Sequence, residues 1–213
     1  MTKARAEPSD VPSDRVRRAY LTRECLVGTI FDPKALHEVG RRAVDKGGSL
    51  REKVAMIRRE LDALYPGHIR LEDEWVFNIA GGALGQMTLL HASLTEYIIV
   101  FGSPIGTEGY SGRFFADDYF IILEGEQWAY AEGDEVRGVW RPGDMHHLPR
   151  GEARGYRIPD HCFALEYARG LIPTMLPFGL ADSFTSTLDP HPVLKTIRIY
   201  TRATVGSLLR GKI

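Results

Sequence analysis

Between Trp75 and Gly170 the chain is written as strands. WVFNIAGG, ALGQMTLLHA, LTEYIIVFG, DYFIILEG, QWAYAEGDEV and HCFALEYA are short and rich in β-branched and aromatic residues, with glycine-rich or acidic turns between them. Closely spaced strands of this kind form a barrel or a sandwich, and a small barrel has room for side chains or one small ligand. The final stretch, HCFALEYARG, carries an acid in apolar company. With period two, Cys162, Ala164 and Glu166 point one way and Phe163, Leu165 and Tyr167 the other. A carboxylate buried there is costly unless it is paired, hydrogen-bonded or protonated. The alternative is an edge-strand Glu166 facing water.

The flanks are helical. Residues 1–12 hold two prolines and several charges without periodicity and are expected to be disordered, and 13–66 form an N-terminal helical segment. Asp32-Pro33 reads as an N-cap with Pro at the first helical position. Val54, Ile57, Leu61 and Leu64 make a stripe on the next helix, and Ser49 with Glu52 forms a capping box in front of it. Pro66-Gly67 ends that run, and 67–170 make the barrel.

Residues 171–213 turn helical again. Pro173 can open a helix, and Pro177 predicts a kink in it. Leu171, Ile172, Met175, Leu176, Phe178, Leu180 and Phe184 leave little polar surface before Asp182. Asp189-Pro190 restarts a last helix, with Leu194, Ile197, Tyr200 and Leu208 on one face and Lys195, Arg198 and Arg202 on another. That is the composition of an interfacial helix, and the pair is expected both to close the barrel mouth and to meet a membrane surface.

Bulk properties narrow the classes. The chain of 213 residues fits one domain with appendages, and its formal net charge of −1 argues against nucleic acid as a partner. Cys25 and Cys162 lie far apart without zinc-ligand spacing and read as free thiols. The polar N-terminus predicts neither a signal peptide nor a spanning helix. No charge lies between Trp75 and Thr95, yet Asn78, Gln86, His91 and three glycines make that stretch strand-like rather than membrane-spanning.

Three constellations bear on chemistry. Asp117-Asp118 begins a strand, so only one of the two faces a barrel interior, where it would share a site with Glu166. Two carboxyls at close range cannot both ionise, and such a pair keeps a proton that it can deliver to one carbon while taking one from another. A solvated DD turn is the alternative. His146-His147 lies in GDMHHLPRG, whose G-D-x-x-x-x-P-x-G spacing is similar to the second motif of cupin barrels. No H-x-H precedes it, and adjacent histidines point to opposite strand faces, so no metal and no other cofactor is expected. One of the two histidines is expected to line the cavity or bond to a carboxylate, and we take it to be His147. AGGALG and GTEGYSGR lack the strand–glycine–helix context of a phosphate loop and read as turns.

LYPGHI, WVFNIAGG, LLHASLTEYIIVFG, GTEGYSGR, ADDYFIILEGEQWA, ALEYARGLIPTMLPFGLADSF and TIRIYTR together resemble the family of fungal C-8 sterol isomerases and the sigma non-opioid receptor. The similarity runs from about Leu64 to about Thr204. It implies an α+β chain: a cupin-like β-barrel behind N-terminal helices, with two C-terminal amphipathic helices covering its mouth and lying on the membrane, assembled as a homotrimer. It implies that Glu166 is the residue that pairs with basic amines and that Asp118, with Asp117 as fallback, bonds to it. It implies pocket positions at Tyr97, Phe101, Thr196 and Tyr200, and Met87, Ile172 and Leu176 complete the expected lining. ADDYFIILEGEQWA and GDMHHLPRG look like the isomerase side, which moves a sterol double bond from the 8,9 to the 7,8 position. The expected partners are a sterol or another polycyclic or terpenoid alkene, with cationic amphiphilic amines as inhibitors. The family's leading membrane helix is not matched here, so the expectation is a peripheral (monotopic) protein at a cytoplasmic or endoplasmic reticulum-like membrane face, with a soluble protein as the alternative. Two other readings stay open: a receptor-like binder that does no chemistry, and a metal-dependent cupin enzyme.

Overall fold

The computed structural model describes residues 28–213. The expected disorder over 1–12, the start of the helical segment and Cys25 lie outside the described residues. Among the described residues, two helices come first. Asp32 caps α1 (Pro33–Lys46), its carboxylate accepting from the backbone N–H groups of Lys34 and Ala35 at 3.3 Å each. Ser49 and Glu52 form the reciprocal capping box of α2 (Leu50–Leu64). Leu36, Val39 and Ala43 of α1 and Val54, Ile57 and Leu61 of α2 are buried, as their spacing requires. Leu64 departs from its stripe: the helix ends there and the side chain is 53% exposed.

Ten strands follow: β1 (Trp75–Ala80), β2 (Ala83–Ala92), β3 (Glu96–Ser103), β4 (Thr107–Tyr110), β5 (Ala116–Gly125), β6 (Gln127–Tyr130), β7 (Gly138–Trp140), β8 (Met145–Leu148), β9 (Gly155–Ile158) and β10 (Cys162–Gly170). They form two antiparallel sheets, ordered β1-β2-β3-β10-β5-β8 and β4-β9-β6-β7. The two sheets face each other as an open barrel, and hydrogen bonding does not close them into one ring. GTEGYSGR, read as a turn, supplies β4; four residues with a central glycine are too short to show a period. The β1–β2 hairpin turns at Gly81 and Gly82, whose φ angles of 60° and 89° suit glycine. The same turn joins the sheets, since Tyr110 N–H donates to the Gly81 carbonyl at 2.8 Å.

The large sheet has two buried faces. Ile98, Val100, Tyr119, Ile121, Leu123, Leu165 and Tyr167 pack under α1 and α2 in one core. Met87, Leu89, Tyr97, Ile99 and Ala168 point the other way, toward the C-terminal segment. There Pro173 lies in a short 3-10 turn, Ile172–Thr174, and Pro177 opens a separate helix, α3 (Leu176–Thr185). The predicted kink is therefore a break: Pro177 sits in a first turn, where its missing N–H costs nothing. Asp189 caps α4 (Pro190–Leu209). Pro192, Val193, Thr196, Ile199 and Ser207 of α4 are buried, with Tyr200 half-buried beside them, whereas Leu194, Ile197, Val205 and Leu208 are exposed. Tyr200 thus leaves the face to which the sequence reading assigned it. It stands six positions from Leu194, about 600° of helical rotation, and so about 120° round the helix from it. Lys195 donates to the Trp75 carbonyl at 2.8 Å and Arg198 pairs with Glu74 at 2.8 Å, so two of the three expected basic residues tie α4 to the start of β1.

A second buried acid fastens these layers. Glu96, fully buried at the start of β3, accepts from Ile30 N–H and Tyr167 O–H at 2.7 Å each and pairs with Lys212 at 2.9 Å. Lys212 also donates to Thr95 Oγ1 at 2.7 Å and to the Gly28 carbonyl. One carboxylate therefore holds the lead into α1, the sheet and the segment after α4. Glu96→Ala leaves the Lys212 ammonium buried without its counter-charge. It is expected to destabilise the protein by about 3–5 kcal/mol, measured as a shift in urea midpoint at unchanged slope; a shift under about 1 kcal/mol would contradict the clamp.

Candidate active site

The site follows from strand parity. On β10, Ala164, Glu166 and Ala168 face inward; on β5, Asp118, Phe120 and Ile122; on β3, Tyr97, Ile99 and Phe101. The registers place Glu166 opposite Phe120 and Ile99, and Asp118 opposite Ala168. Asp118 and Glu166 are therefore diagonal neighbours on adjacent strands of one face. Their neighbours Ala164 and Ala168 are small, which leaves space above the two carboxyls. Asp118 is 5% exposed and Glu166 8%.

The two acids differ in what surrounds them. The Tyr97 hydroxyl donates to Glu166 Oε1, which favours the carboxylate. Asp118 Oδ1 is buried with no hydrogen-bond partner among the described residues. Burial, then the charge of Glu166, pushes the Asp118 carboxyl well above its ordinary range. Burial also raises Glu166, to about 7, against the opposing pull of the Tyr97 bond. The pair holds one shared proton at neutral pH, and the unpartnered Asp118 is the better place for it. Burial raises Tyr97 and Tyr200 as well, so both stay phenols over a negative site. Their rings meet edge-on, with centroids 6.5 Å apart.

The acids lie in the wall of a cavity lined mostly by apolar and aromatic side chains. Met87, Ile99, Phe101 and Phe120 line it from the large sheet, and Tyr156 and Gln127 from the small one. Ile172, Met175, Leu176, Phe178, Thr196 and Tyr200 close it from the C-terminal segment. α3 is tied over the mouth by Asp182, which accepts from Gly82 N–H at 2.8 Å.

The family described as "ERG2 and Sigma1 receptor like protein" matches residues 18–212. A C-8 sterol isomerase of Aspergillus fumigatus is 51% identical over 185 residues, covering 86% of this chain and 77% of that one. Its counterpart in Gibberella zeae is 50% identical over 185 residues, covering 86% and 79%. Sigma non-opioid intracellular receptor 1 of Gallus gallus is 37% identical over 174 residues, covering 81% and 78%. The chain belongs to the ERG2 and sigma-1 receptor family. Among solved structures, an RmlC-like cupin from Shewanella frigidimarina is similar with a TM-score of 0.41 at 19% identity, covering 48% of this chain and 90% of that one.

In this family member the cavity brings together Glu166, Asp118, Tyr97, Phe101, Met87, Thr196, Tyr200, Ile172 and Leu176. It leaves out Asp117 and His147, both expected in its lining. Both project from the other face of the sheet, where His147 Nε2 lies 3.3 Å from Asp117 Oδ1 and stacks on Tyr119. Arg150 N–H also donates to Asp117 Oδ1 at 3.3 Å. The cavity histidine is His146, opposite Phe120 in the β5–β8 register. In MHHL both flanking residues are apolar, so alternation alone does not choose between the histidines. Gln127, Tyr156 and Phe114 also line the cavity and carry no local signal in the sequence. No group of three or more His, Cys, Asp or Glu side chains stands close enough to hold a metal among the described residues.

The raised acids give stability a defined pH dependence. Their folded-state pKa values lie above the unfolded ones, so their contribution is full below the unfolded carboxylate range and is lost as pH rises through the folded values, near 7 for Glu166. Asp118→Asn removes one of the two titrations. Its stability relative to the unmodified protein should rise by about 1–2 kcal/mol between about pH 5 and about pH 8. Denaturant titrations at the two pH values check this, and a difference that stays constant would contradict the coupled pair.

Proposed function

We propose that this protein is a sterol isomerase of the C-8 type, working by proton transfer without a metal or other cofactor. The observation that carries the proposal is the buried Asp118–Glu166 pair, holding one proton over an apolar cavity, in a chain half identical to fungal C-8 sterol isomerases. Protonated Asp118 adds its proton to one carbon of the 8,9 double bond, and a tertiary cation forms at the other. Glu166, as carboxylate, stabilises that cation and removes a proton from the neighbouring ring carbon, leaving the 7,8 double bond. Between turnovers Glu166 gives that proton up to water and Asp118 takes one from water, and the site is reset. Tyr97 holds Glu166 in place by its hydroxyl. Cationic amphiphilic amines resemble the intermediate and should bind tightly at the same carboxylate.

Several finer statements belong to the same proposal. Leu194, Ile197, Val205 and Leu208 make an exposed apolar stripe along α4, continued by Leu171, Phe184 and Leu188 around α3. This surface supports a peripheral attachment to a membrane of endoplasmic reticulum type, from which a sterol would enter. No helix among the described residues is long and apolar enough to cross a membrane. The family resemblance further supports a homotrimer, which light scattering tests at three times 23.9 kDa.

The decisive test is turnover of a Δ8 sterol in deuterated water. A product carrying the shifted double bond and one deuterium is expected, and Glu166→Gln should lower turnover by about 100-fold or more. The rate should fall on both sides of neutral pH, as the pair loses its shared proton or gains a second. Unlabelled product, or normal turnover by the variant, would rule out this mechanism. Amine binding without any turnover would favour a receptor-like binder.

A further inference from the structure

The small-sheet side of the cavity carries polar groups that the proton transfer does not use. His146 stands in one cross-strand row with Phe120 and Glu166, so it lies two strand spacings from Glu166, roughly 10 Å, with the Phe120 ring between them. Its ring is fixed twice. Trp140 stacks on it with centroids 3.9 Å apart and planes 16° from parallel. Its Nδ1 lies 3.4 Å from Gln127 Oε1, a carbonyl oxygen that can only accept, so Nδ1 carries the hydrogen. Gln127 and Trp140 are themselves register partners in β6 and β7, so one hairpin sets both restraints. Burial, then the charges of Arg154 and His147, keep the imidazole neutral down to about pH 3. Arg154 is in turn paired with Glu152 at 2.7 Å. The remaining nitrogen, Nε2, is a hydrogen-bond acceptor with no partner among the described residues, on a side chain that lines the cavity.

We propose that His146, held by Gln127 and Trp140, is a recognition site for an alcohol. It accepts a hydrogen bond from the substrate hydroxyl and so sets the ring system across Phe120, with the double bond over Asp118 and Glu166. A sterol carries such a hydroxyl on its ring system, away from the alkene. An acceptor nitrogen selects an O–H and gains nothing from a ketone or a hydrocarbon at that position. The inference rests on the isomerase reading for the identity of the reacting end, and its own content is the selection of the alcohol.

The test compares a Δ8 sterol with its ring-A ketone and its deoxy counterpart, by kcat/KM and by equilibrium binding. The unmodified protein should favour the alcohol by about 10-fold or more over both analogues. In His146→Phe the ratios should fall to about 1, and in Gln127→Leu, which frees the tautomer, they should fall part of the way. A merely structural role for His146 would lower all three substrates together and leave the ratios unchanged, which would overturn the proposal. So would a ketone handled as well as the alcohol, or an unmodified protein that does not discriminate. If no substrate turns over, the isomerase reading fails, and the binding ratios still decide the alcohol site.

Discussion

Everything in this molecule depends on the two-residue period of β10. The strand lies inside the large sheet, bonded to β3 on one side and β5 on the other, with both faces covered. Its odd-numbered side chains Leu165 and Tyr167 belong to the core under α1 and α2. Its even-numbered Glu166 and Ala168 belong to the cavity. A shift of one residue would drive the carboxylate into the helix-side core and the tyrosine into the substrate space. Tyr167 reinforces the register, because its hydroxyl donates to Glu96 at 2.7 Å and lies 3.0 Å from the Phe31 carbonyl.

The two buried acids of β3 and β10 show how surroundings decide a carboxyl's use. Glu96 is saturated by two backbone N–H groups, a phenol and an ammonium, and becomes a permanent fastening. Glu166 has one phenol and an uncompensated neighbour in Asp118, with no ammonium against it among the described residues. The first arrangement holds charge fixed, and the second keeps a proton on the carboxyl pair at neutral pH beside a mostly apolar space. Folding tolerates the second because the cost falls on two groups in a sheet otherwise packed on both faces.

Much of this was legible from local pattern. Asp32, Ser49 and Glu52 announced their caps because capping is a short-range contact. Glu166 announced itself because charge in an apolar strand is rare. Other features depended on pairing that no local pattern holds. The choice between His146 and His147 rests on the register of β8 against β5. The position of Tyr200 rests on how α4 rolls against β1 and β2. Pro177 looks like an interruption in the sequence because only the preceding 3-10 turn reveals it as a start. Glu96 and Lys212 are far apart in sequence, and nothing near either residue points to the other.

The placement of β10 also bears on how the chain assembles. Its partners β3 and β5 lie tens of residues earlier in the sequence. Until residues beyond 160 are available, the β1–β3 and β5–β8 halves of the large sheet have no bridge, and each leaves a strand edge and apolar faces open. Contacts this distant in sequence make for slow closure. A nascent chain therefore passes through a long interval in which its most aggregation-prone edges wait for a single late strand, and a chaperone's opportunity falls within that interval.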